Sequence, residues 1–238
     1  MKRFFMPDIS DKRLESARRI LEEKGYICAQ NENNSDFTVL GVNPGDEFLK
    51  DGKPVFAGNV NKPGVFDYTK DESFAIKNAY LTAEAAIAIA IENSDFSLIN
   101  SPVLICGYGR IGKALEDLLG AFTKDITVCA RKDEQRALAE CRGSKTADFE
   151  KLLHCEDYLF IFNTVPHPVF SVRELMTVNK EALLIDLASF PGGVDKHYAK
   201  HFKLNFIEAR GLPAKYSPKI AGEFAAQTID KIIKEKGL

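Results

Sequence analysis

The chain has 238 residues, of which 45% are hydrophobic, and a formal net charge of −2 at pH 7. This length suits one or two globular domains, and the near-neutral charge offers no basic excess for binding nucleic acid. Five cysteines without paired metal spacing indicate reduced thiols, and no apolar run is long enough to cross a bilayer. We therefore expect a cytoplasmic protein that has no metal site and does not bind a membrane.

Residues 1–80 predict a small α/β domain, because strand-like runs surround one amphipathic helix. The helical spacing is carried by Leu14, Ala17, Arg18 and Leu21, which follow Asp11. The strand-like runs, separated by the turn-rich segments "NPGDEF" and "KDGK", are "KRFFM", "YICAQ", "DFTVLGV" and "PVFAGNV". We expect this domain to be flavodoxin-like.

Residues 81–93 predict a helix that is apolar on nearly every side, which is typical of a helix buried between two domains. Thr82 stands at the expected N-cap, and Glu84 in the first turn would suit the helix dipole. Together with Asn78, these residues could present a helix N-terminus to a substrate carboxylate, with Glu84 a candidate catalytic group. A purely capping role explains Thr82 equally well.

Residues 81–221 predict a doubly wound parallel sheet, a Rossmann domain. Continuous apolar strands indicate that both faces of the sheet are covered by helices. The expected strands are residues 103–106, 126–130, 157–163, 183–188 and 204–209. The amphipathic segment at 222–238 predicts a helix that packs back on the N-terminal domain.

The stretch "GYGRIG" follows the first of these strands and opens an amphipathic helix, which is the setting of a dinucleotide-binding turn. The first glycine permits the tight turn, the second lets the backbone approach a pyrophosphate, and the third allows close helix–strand packing. A glycine turn without a ligand is the alternative. The predicted cofactor-binding residues of this turn are Gly107, Tyr108, Gly109, Arg110, Ile111 and Gly112.

The end of the next strand predicts NADP rather than NAD. NAD-binding domains usually place an acid about 20 residues after the glycines to bind the ribose 2′-hydroxyl. Here Arg131 stands 19 residues after Gly112, and Lys132 follows it. Arginine can bind a 2′-phosphate through paired hydrogen bonds, whereas an acid would repel it. A surface arginine without a ligand is the alternative, and Asp133 or Glu134 could reach the ribose, which keeps NAD possible.

Loops after the later strands are expected to enter the cofactor crevice, since the strand ends of a doubly wound sheet meet there. His167 could act as an acid or base, or could simply belong to a proline-stiffened loop. The residues expected to line the cofactor are Asn163, Thr164, Val165 and Pro166.

The loop in "LLIDLASFPGGVD" is expected to meet the nicotinamide half of the cofactor, which makes Ser189 a candidate catalytic and substrate-binding residue. The backbone amides of Gly192 and Gly193 suit a substrate carboxylate, although a flexible turn explains them equally well. Lys215 and Tyr216 are further candidates for binding a dicarboxylate, with an exposed loop lysine as the common alternative.

Two histidines, His197 and His201, stand four residues apart on an expected helix. No glutamate follows His197 as in the H-E-x-x-H motif, so a solvated helix face is favoured over zinc. No nucleophile–base pair is readable in the sequence, and none is needed if a cofactor carries the chemistry.

Four stretches resemble dipicolinate synthase, in its A-type component, over about residues 72–225: "KNAYLTAEAAIAIAIE", "VLICGYGRIGKAL", "LLIDLASFPGGVD" and "ARGLPAKYSPKIAGE". "DLASFPGGVD" and "GLPAKYSPKIAG" are more specific than the glycine turn. The resemblance implies an NADP-using relative of the two-domain 2-hydroxyacid dehydrogenases in spore-forming bacteria. In that family the A and B subunits jointly oxidise a dihydrodipicolinate-type compound. The family usually opens with a longer α/β domain whose first strand ends in a glycine-rich turn, whereas here that strand ends "MPDISDKR".

We therefore expect an NADP-dependent oxidoreductase that exchanges hydride with a ring carbon of a cyclic dicarboxylate bound between the domains. A homo-oligomer is expected as well, together with a B-type partner subunit. A D-2-hydroxyacid dehydrogenase is one alternative, but "EARGLPAKYSP" lacks the histidine of those enzymes and no arginine follows "LIDLAS". The shortened N-terminal domain suggests a second alternative, a non-catalytic NADP-binding subunit or sensor.

Overall fold

The computed structural model describes residues 1–7, 11–49 and 52–238. Part of the "MPDISDKR" and "KDGK" segments lies outside the described residues. The chain divides into two compact units. The first unit comprises Met1–Leu81 and Pro213–Leu238, and the second comprises Thr82–Leu212.

The first unit contains a five-stranded parallel sheet in the order β2-β1-β3-β4-β5. This is the strand order of flavodoxin-like folds, which confirms the predicted type of domain. The fifth strand was not predicted, because its three residues carry little apolar pattern. The strands are β1 (Arg3–Phe5), β2 (Ile27–Cys28), β3 (Phe37–Val42), β4 (Val55–Gly58) and β5 (Val65–Asp67).

Two helices of the first unit pack against each other, α1 (Lys12–Glu23) and α8 (Pro218–Lys236). Asp11 caps α1 by accepting a hydrogen bond of 2.9 Å from the Arg13 amide. A Cβ added to Gly222 would overlap the carbonyl oxygen of Arg13, so the two backbones touch. The core of this unit includes Phe4, Leu14, Leu21, Phe37, Phe56, Ala226, Ile229 and Ile233. The C-terminal helix is therefore a structural part of the first unit.

The long apolar helix α2 (Glu72–Glu92) begins earlier than the sequence pattern indicated. Asp71 accepts a hydrogen bond of 2.9 Å from the Phe74 amide, in the manner of an N-cap. Thr82 is therefore a buried residue inside the helix, and its predicted capping role is wrong. Among the described residues, one helix is long enough and apolar enough to cross a membrane, and that helix is α2. This is weak evidence, because half of its apolar window is buried and core helices pass the same test.

The second unit contains a six-stranded parallel sheet in the order β11-β10-β9-β6-β7-β8. This is the Rossmann strand order, which confirms the predicted fold class. The short strand β8 was not predicted. The strands are β6 (Val103–Cys106), β7 (Ile126–Cys129), β8 (Lys145–Ala147), β9 (Phe160–Asn163), β10 (Leu183–Asp186) and β11 (Asn205–Glu208).

Helices follow most of these strands and cover the sheet. Strands β6, β7, β9 and β10 are buried along their whole length, as their continuous apolar sequences predicted. The helices of this unit are α3 (Arg110–Leu119), α4 (Asp133–Cys141), α5 (Val172–Leu175) and α6 (Lys196–His201), and the short helix α7 (Leu212–Tyr216) begins at its last residue and continues into the first unit.

Candidate functional site

The glycine turn between β6 and α3 has a different requirement at each glycine. Gly107 has a φ of 91°, a left-handed conformation that favours glycine. A Cβ on Gly112 would overlap the carbonyl oxygen of Gly107, so the start of α3 packs directly on the turn. A Cβ on Gly109 would meet no atom within 4 Å. Gly109 therefore faces open space, where a ligand can approach the backbone.

The start of α3 is arranged as an anion-binding helix terminus. Gly109 is the N-cap residue and makes no side-chain hydrogen bond to the helix. On the other side of the turn, the Thr164 amide donates to the carbonyl of Cys106 at 2.8 Å. β6 and β9 are neighbours at the point where the strand order reverses, which is where doubly wound folds bind dinucleotides. The turn can therefore hold a pyrophosphate on the amides of α3.

Tyr108 supports this turn from inside the protein. Its side chain is 1% exposed, and its hydroxyl donates to the buried carboxylate of Glu116. Glu116 also accepts hydrogen bonds from Ser144 Oγ at 2.7 Å and Arg142 Nη1 at 3.2 Å. Burial and the bond to Glu116 raise the pKa of Tyr108. The Tyr108 side chain is therefore not turned toward a ligand, and only its backbone lies on the turn surface.

Arg131 lies beside the turn, just beyond β7. The register pairs Cys129, the last residue of β7, with Cys106 at the end of β6. Arg131 and Lys132 are both exposed. Among the described residues, no hydrogen bond or ion pair involves the Arg131 side chain, whereas Lys132 Nζ lies 3.5 Å from Glu134. Arg131 is thus a cation next to the glycine turn without an internal partner in the described chain.

The acidic alternatives on α4 are placed less favourably for a ribose. Asp133 is bound by the guanidinium of Arg136, which also donates to the carbonyl of Ala130 at 2.6 Å. Glu134 has its pKa lowered by a backbone hydrogen bond and by nearby Lys132. These pairings engage Asp133 and Glu134, whereas Arg131 is exposed beside them.

Asn163 and Asp186 form a buried pair at the ends of β9 and β10. Both side chains are 0% exposed, and Asn163 Nδ2 donates to Asp186 Oδ1 at 2.8 Å. Asp186 also accepts from the amides of Ala188 at 3.2 Å and Gly193 at 3.0 Å. Asn163 therefore positions neighbouring loops and does not face the cofactor crevice. Asp186 was missed, because nothing local in "LLIDLA" marks that aspartate.

The loop after β10 uses its own amides internally. The Gly193 amide binds Asp186, and the Gly192 amide donates to the carbonyl of Ser189 at 2.8 Å. A Cβ on Gly193 would overlap Nδ2 of Asn163, so close packing explains that glycine. The prediction that these two amides bind a substrate carboxylate is not supported.

Arg210 is a functional candidate that the sequence analysis missed. It follows β11, and its Nε donates to the carbonyl of Ala188 at 3.1 Å. Its Nη2 donates to the carbonyl of Pro191 at 3.0 Å and pairs with Glu208 at 2.7 Å. A hydrogen bond from Lys196 and the charge of Arg210 lower the pKa of Glu208. A signal existed in "EARG", since a cation at a strand end in this sheet points to the ligand edge.

The remaining predicted residues are dispersed. Thr164 and Val165 are half-buried beside Gly107, and a Cβ on that glycine would crowd both of them. Asn78 and Lys215 belong to the first unit, and Thr82 and Glu84 lie within α2, away from any helix start. Residues that are exposed at the surface are Glu84, Arg110, Pro166, His167, Ser189, His197, His201, Lys215 and Tyr216. Across the described ranges, no group of three or more His, Cys, Asp or Glu could hold a metal ion.

Comparison with known proteins gives both sequence and structural relatives. No family model matches the chain. The A-type component of dipicolinate synthase from Bacillus subtilis (strain 168) is 30% identical over 165 residues. That match covers 69% of this chain and 56% of the relative, so it spans little more than half of the curated protein.

Solved structures match nearly the whole chain. The corresponding dipicolinate synthase component from Bacillus halodurans has a TM-score of 0.87 at 22% identity, covering 98% of this chain and 97% of that chain. A transhydrogenase from Sinorhizobium meliloti has a TM-score of 0.76 at 12% identity, covering 99% and 94%. D-lactate dehydrogenase from Escherichia coli has a TM-score of 0.68 at 14% identity, covering 100% and 98%.

These relatives confirm the resemblance that the sequence motifs indicated. The sequence match supports the relation to the A-type component of dipicolinate synthase, and the structural matches show the two-domain fold of nicotinamide-dependent dehydrogenases. The chain thus has the two-domain fold that these dehydrogenases share.

Proposed function

We propose that this relative of A-type dipicolinate synthase is an NADP-dependent oxidoreductase acting on a cyclic dicarboxylate of the dihydrodipicolinate type. The observation that carries the proposal is the open space over Gly109, together with the exposed Arg131 just beyond β7, the strand that pairs with β6. A pyrophosphate would bind at the start of α3, and a 2′-phosphate would bind Arg131. An acid at that position would favour NAD instead.

The chain's own residues would bind and orient the reactants. Gly107 and Thr164 keep β6 and β9 close at the switch point, and the Asn163–Asp186 pair holds the loop that carries Ser189. When bound, NADP⁺ would supply the hydride acceptor for a two-electron oxidation of the substrate ring, and the chain's own residues would remove the one proton that the substrate also loses. Ser189, His167 and Glu84 are the exposed candidates for handling that proton. A homo-oligomer, a cytoplasmic location and a B-type partner are further parts of the proposal.

A D-2-hydroxyacid dehydrogenase is the second candidate, favoured by the fold shared with D-lactate dehydrogenase. In those enzymes we expect an arginine in the loop after the strand equivalent to β10. Here the loop after β10 has Ser189 and Phe190 instead. We therefore rank this activity below the first. Oxidation of simple 2-hydroxy acids with NADP⁺ would reverse the order.

Calorimetric titration of the purified chain with NADPH and with NADH tests the cofactor. We expect the wild type to bind NADPH more tightly than NADH. Arg131→Ala should lower the affinity for NADPH by about 10- to 100-fold, because a charge-assisted hydrogen bond contributes about 1.5–3 kcal/mol. NADH binding should be unchanged. Arg173→Ala, at another exposed arginine of the second unit, is the matched control and should leave both affinities unchanged.

Turnover is tested separately, with a dihydrodipicolinate-type substrate and NADP⁺, in the presence or absence of the B-type partner. NADPH formation supports the proposed reaction. Dinucleotide binding without turnover in either condition would favour a non-catalytic NADP-binding protein. If neither dinucleotide binds, the proposal fails as a whole.

A further inference from the structure

The carboxyl ends of β10 and β11 carry an exposed aromatic ring beside a guanidinium. Phe190 is 83% exposed, although it lies in a loop held by internal hydrogen bonds. The Cζ atom of Arg210 lies over one face of the Phe190 ring, 5.8 Å from its centre. Asp186 and Glu208 are register partners at the ends of the two strands. Phe190 and Arg210 follow these strand ends, so they lie at the edge of the sheet where doubly wound folds bind ligands.

Arg210 is held in place by one edge of its guanidinium. Nε and Nη2 make the bonds to Ala188, Pro191 and Glu208. Among the described residues, no hydrogen bond or ion pair involves Nη1. One nitrogen of the guanidinium therefore remains as a donor, and the side chain carrying it is already ordered.

The two acids near Arg210 are each engaged by other groups. Glu208 is shared with Lys196, whose Nζ lies 2.5 Å from the second carboxylate oxygen. Asp186 is buried and accepts from three nitrogens, two of them backbone amides. Because Glu208 and Asp186 are bound by these other groups, neither acid neutralises Arg210 alone. Arg210 can therefore still attract a ligand carboxylate.

The combination suits one class of ligand. A guanidinium binds carboxylates through directed hydrogen bonds, and an exposed aromatic ring packs against a flat ring. We propose that Arg210 binds a ring carboxylate of the substrate while Phe190 packs against the ring face. This assignment rests on the proposed function, and it names the residues that select a planar ring dicarboxylate.

Four ligands separate the two contacts: pyridine-2,6-dicarboxylate, pyridine-2-carboxylate, benzene-1,3-dicarboxylate and the saturated piperidine-2,6-dicarboxylate. Their affinities are measured by calorimetry on the full chain with saturating NADPH. We expect the wild type to prefer the pyridine dicarboxylate over the monocarboxylate by about tenfold or more. Arg210→Gln should remove most of that preference, because only the dicarboxylate offers the second carboxylate.

If Arg210 only held the loop in place, Arg210→Gln would lower the affinity for all four ligands by the same factor. An unchanged preference for the dicarboxylate in Arg210→Gln therefore overturns the proposed contact of Arg210 with the ligand. Phe190→Leu, at an exposed position where folding is not at risk, should abolish the preference for flat over saturated dicarboxylates. If that preference persists, the role of Phe190 is overturned. Failure of the wild type to bind any of the four ligands also overturns the inference. The NADPH titration, made separately, shows whether the proposed function fails with it.

Discussion

The side-chain amide of Asn163 donates a 2.8 Å hydrogen bond to the carboxylate of Asp186, and both side chains are completely buried. The two residues are register partners at the ends of β9 and β10. Because Asp186 also binds the amides of Ala188 and Gly193, this pair determines the path of the loop that carries Ser189 and Phe190. The order of the candidate substrate edge therefore depends on a buried carboxylate.

Replacing that carboxylate should destabilise the second unit. Asp186→Asn puts an NH₂ group where a carboxylate oxygen now accepts, so at least one buried donor loses its acceptor. We expect the free energy of unfolding in urea to fall by about 1–3 kcal/mol. Asp125→Asn, which removes an exposed pair with Lys145, is the control and should change it by less than about 1 kcal/mol. Equal stability of Asp186→Asn and the wild type would contradict this role.

The glycine turn offers a pair of substitutions that should both weaken NADPH binding but should differ in their effect on stability. Gly112→Ala should lower stability by about 1–3 kcal/mol and remove NADPH binding, because its methyl group overlaps the Gly107 carbonyl. Gly109→Ala should change stability by less than about 1 kcal/mol, since its methyl group meets nothing within 4 Å. It should still weaken NADPH at least severalfold by occupying the space assigned to the pyrophosphate. Wild-type affinity in Gly109→Ala would show that no ligand approaches there.

Cofactor preference should respond to the sign of the charge at residue 131. Arg131→Glu is expected to bind NADH more tightly than NADPH, because a carboxylate repels the 2′-phosphate and can accept from a ribose hydroxyl. Lys132→Glu is the matched comparison, as Lys132 already faces Glu134 at 3.5 Å. It should reduce NADPH affinity less than Arg131→Glu does. The reverse ranking, measured by titration with both dinucleotides, would assign the phosphate to Lys132.

Acid should weaken the first unit through Asp230. Burial alone would raise the pKa of Asp230, but hydrogen bonds from Lys24, Lys234 and Tyr26 outweigh burial and lower that pKa. A lowered folded-state pKa stabilises the fold above the unfolded pKa of about 4, and this contribution disappears as pH falls through the folded value. Asp230→Asn should therefore be less stable than the wild type at pH 7, with the difference shrinking below about pH 4.

Urea unfolding at a series of pH values checks this prediction. Asp46→Asn, at an exposed position of the same unit, is the control and should follow the wild-type profile. A constant difference between Asp230→Asn and the wild type from pH 7 to pH 3 would rule out the ionic contribution.

Local patterns predicted the elements that bear most directly on the cofactor. The apolar run before "GYGRIG" and the amphipathic stripe after it correspond to β6 and α3, and the strand before Arg131 is β7. The early start of α2 escaped prediction, because Asp71 had to be recognised as a cap and the apolar pattern is clearest after Leu81. The short strands β5 and β8 escaped it as well, because three residues carry too little periodicity.

The sequence by itself determined the two α/β units, the glycine turn and the cation beyond β7, since each depends on residues close together in the chain. Only the tertiary structure decided what Asp186, Gly193 and Arg210 contact. Their partners lie on neighbouring strands and loops, and the register of the parallel sheet brings them together. The tertiary structure also showed that the Gly193 amide donates to Asp186 rather than to a ligand. This follows from burial, because the oxygens of a buried carboxylate need hydrogen-bond donors.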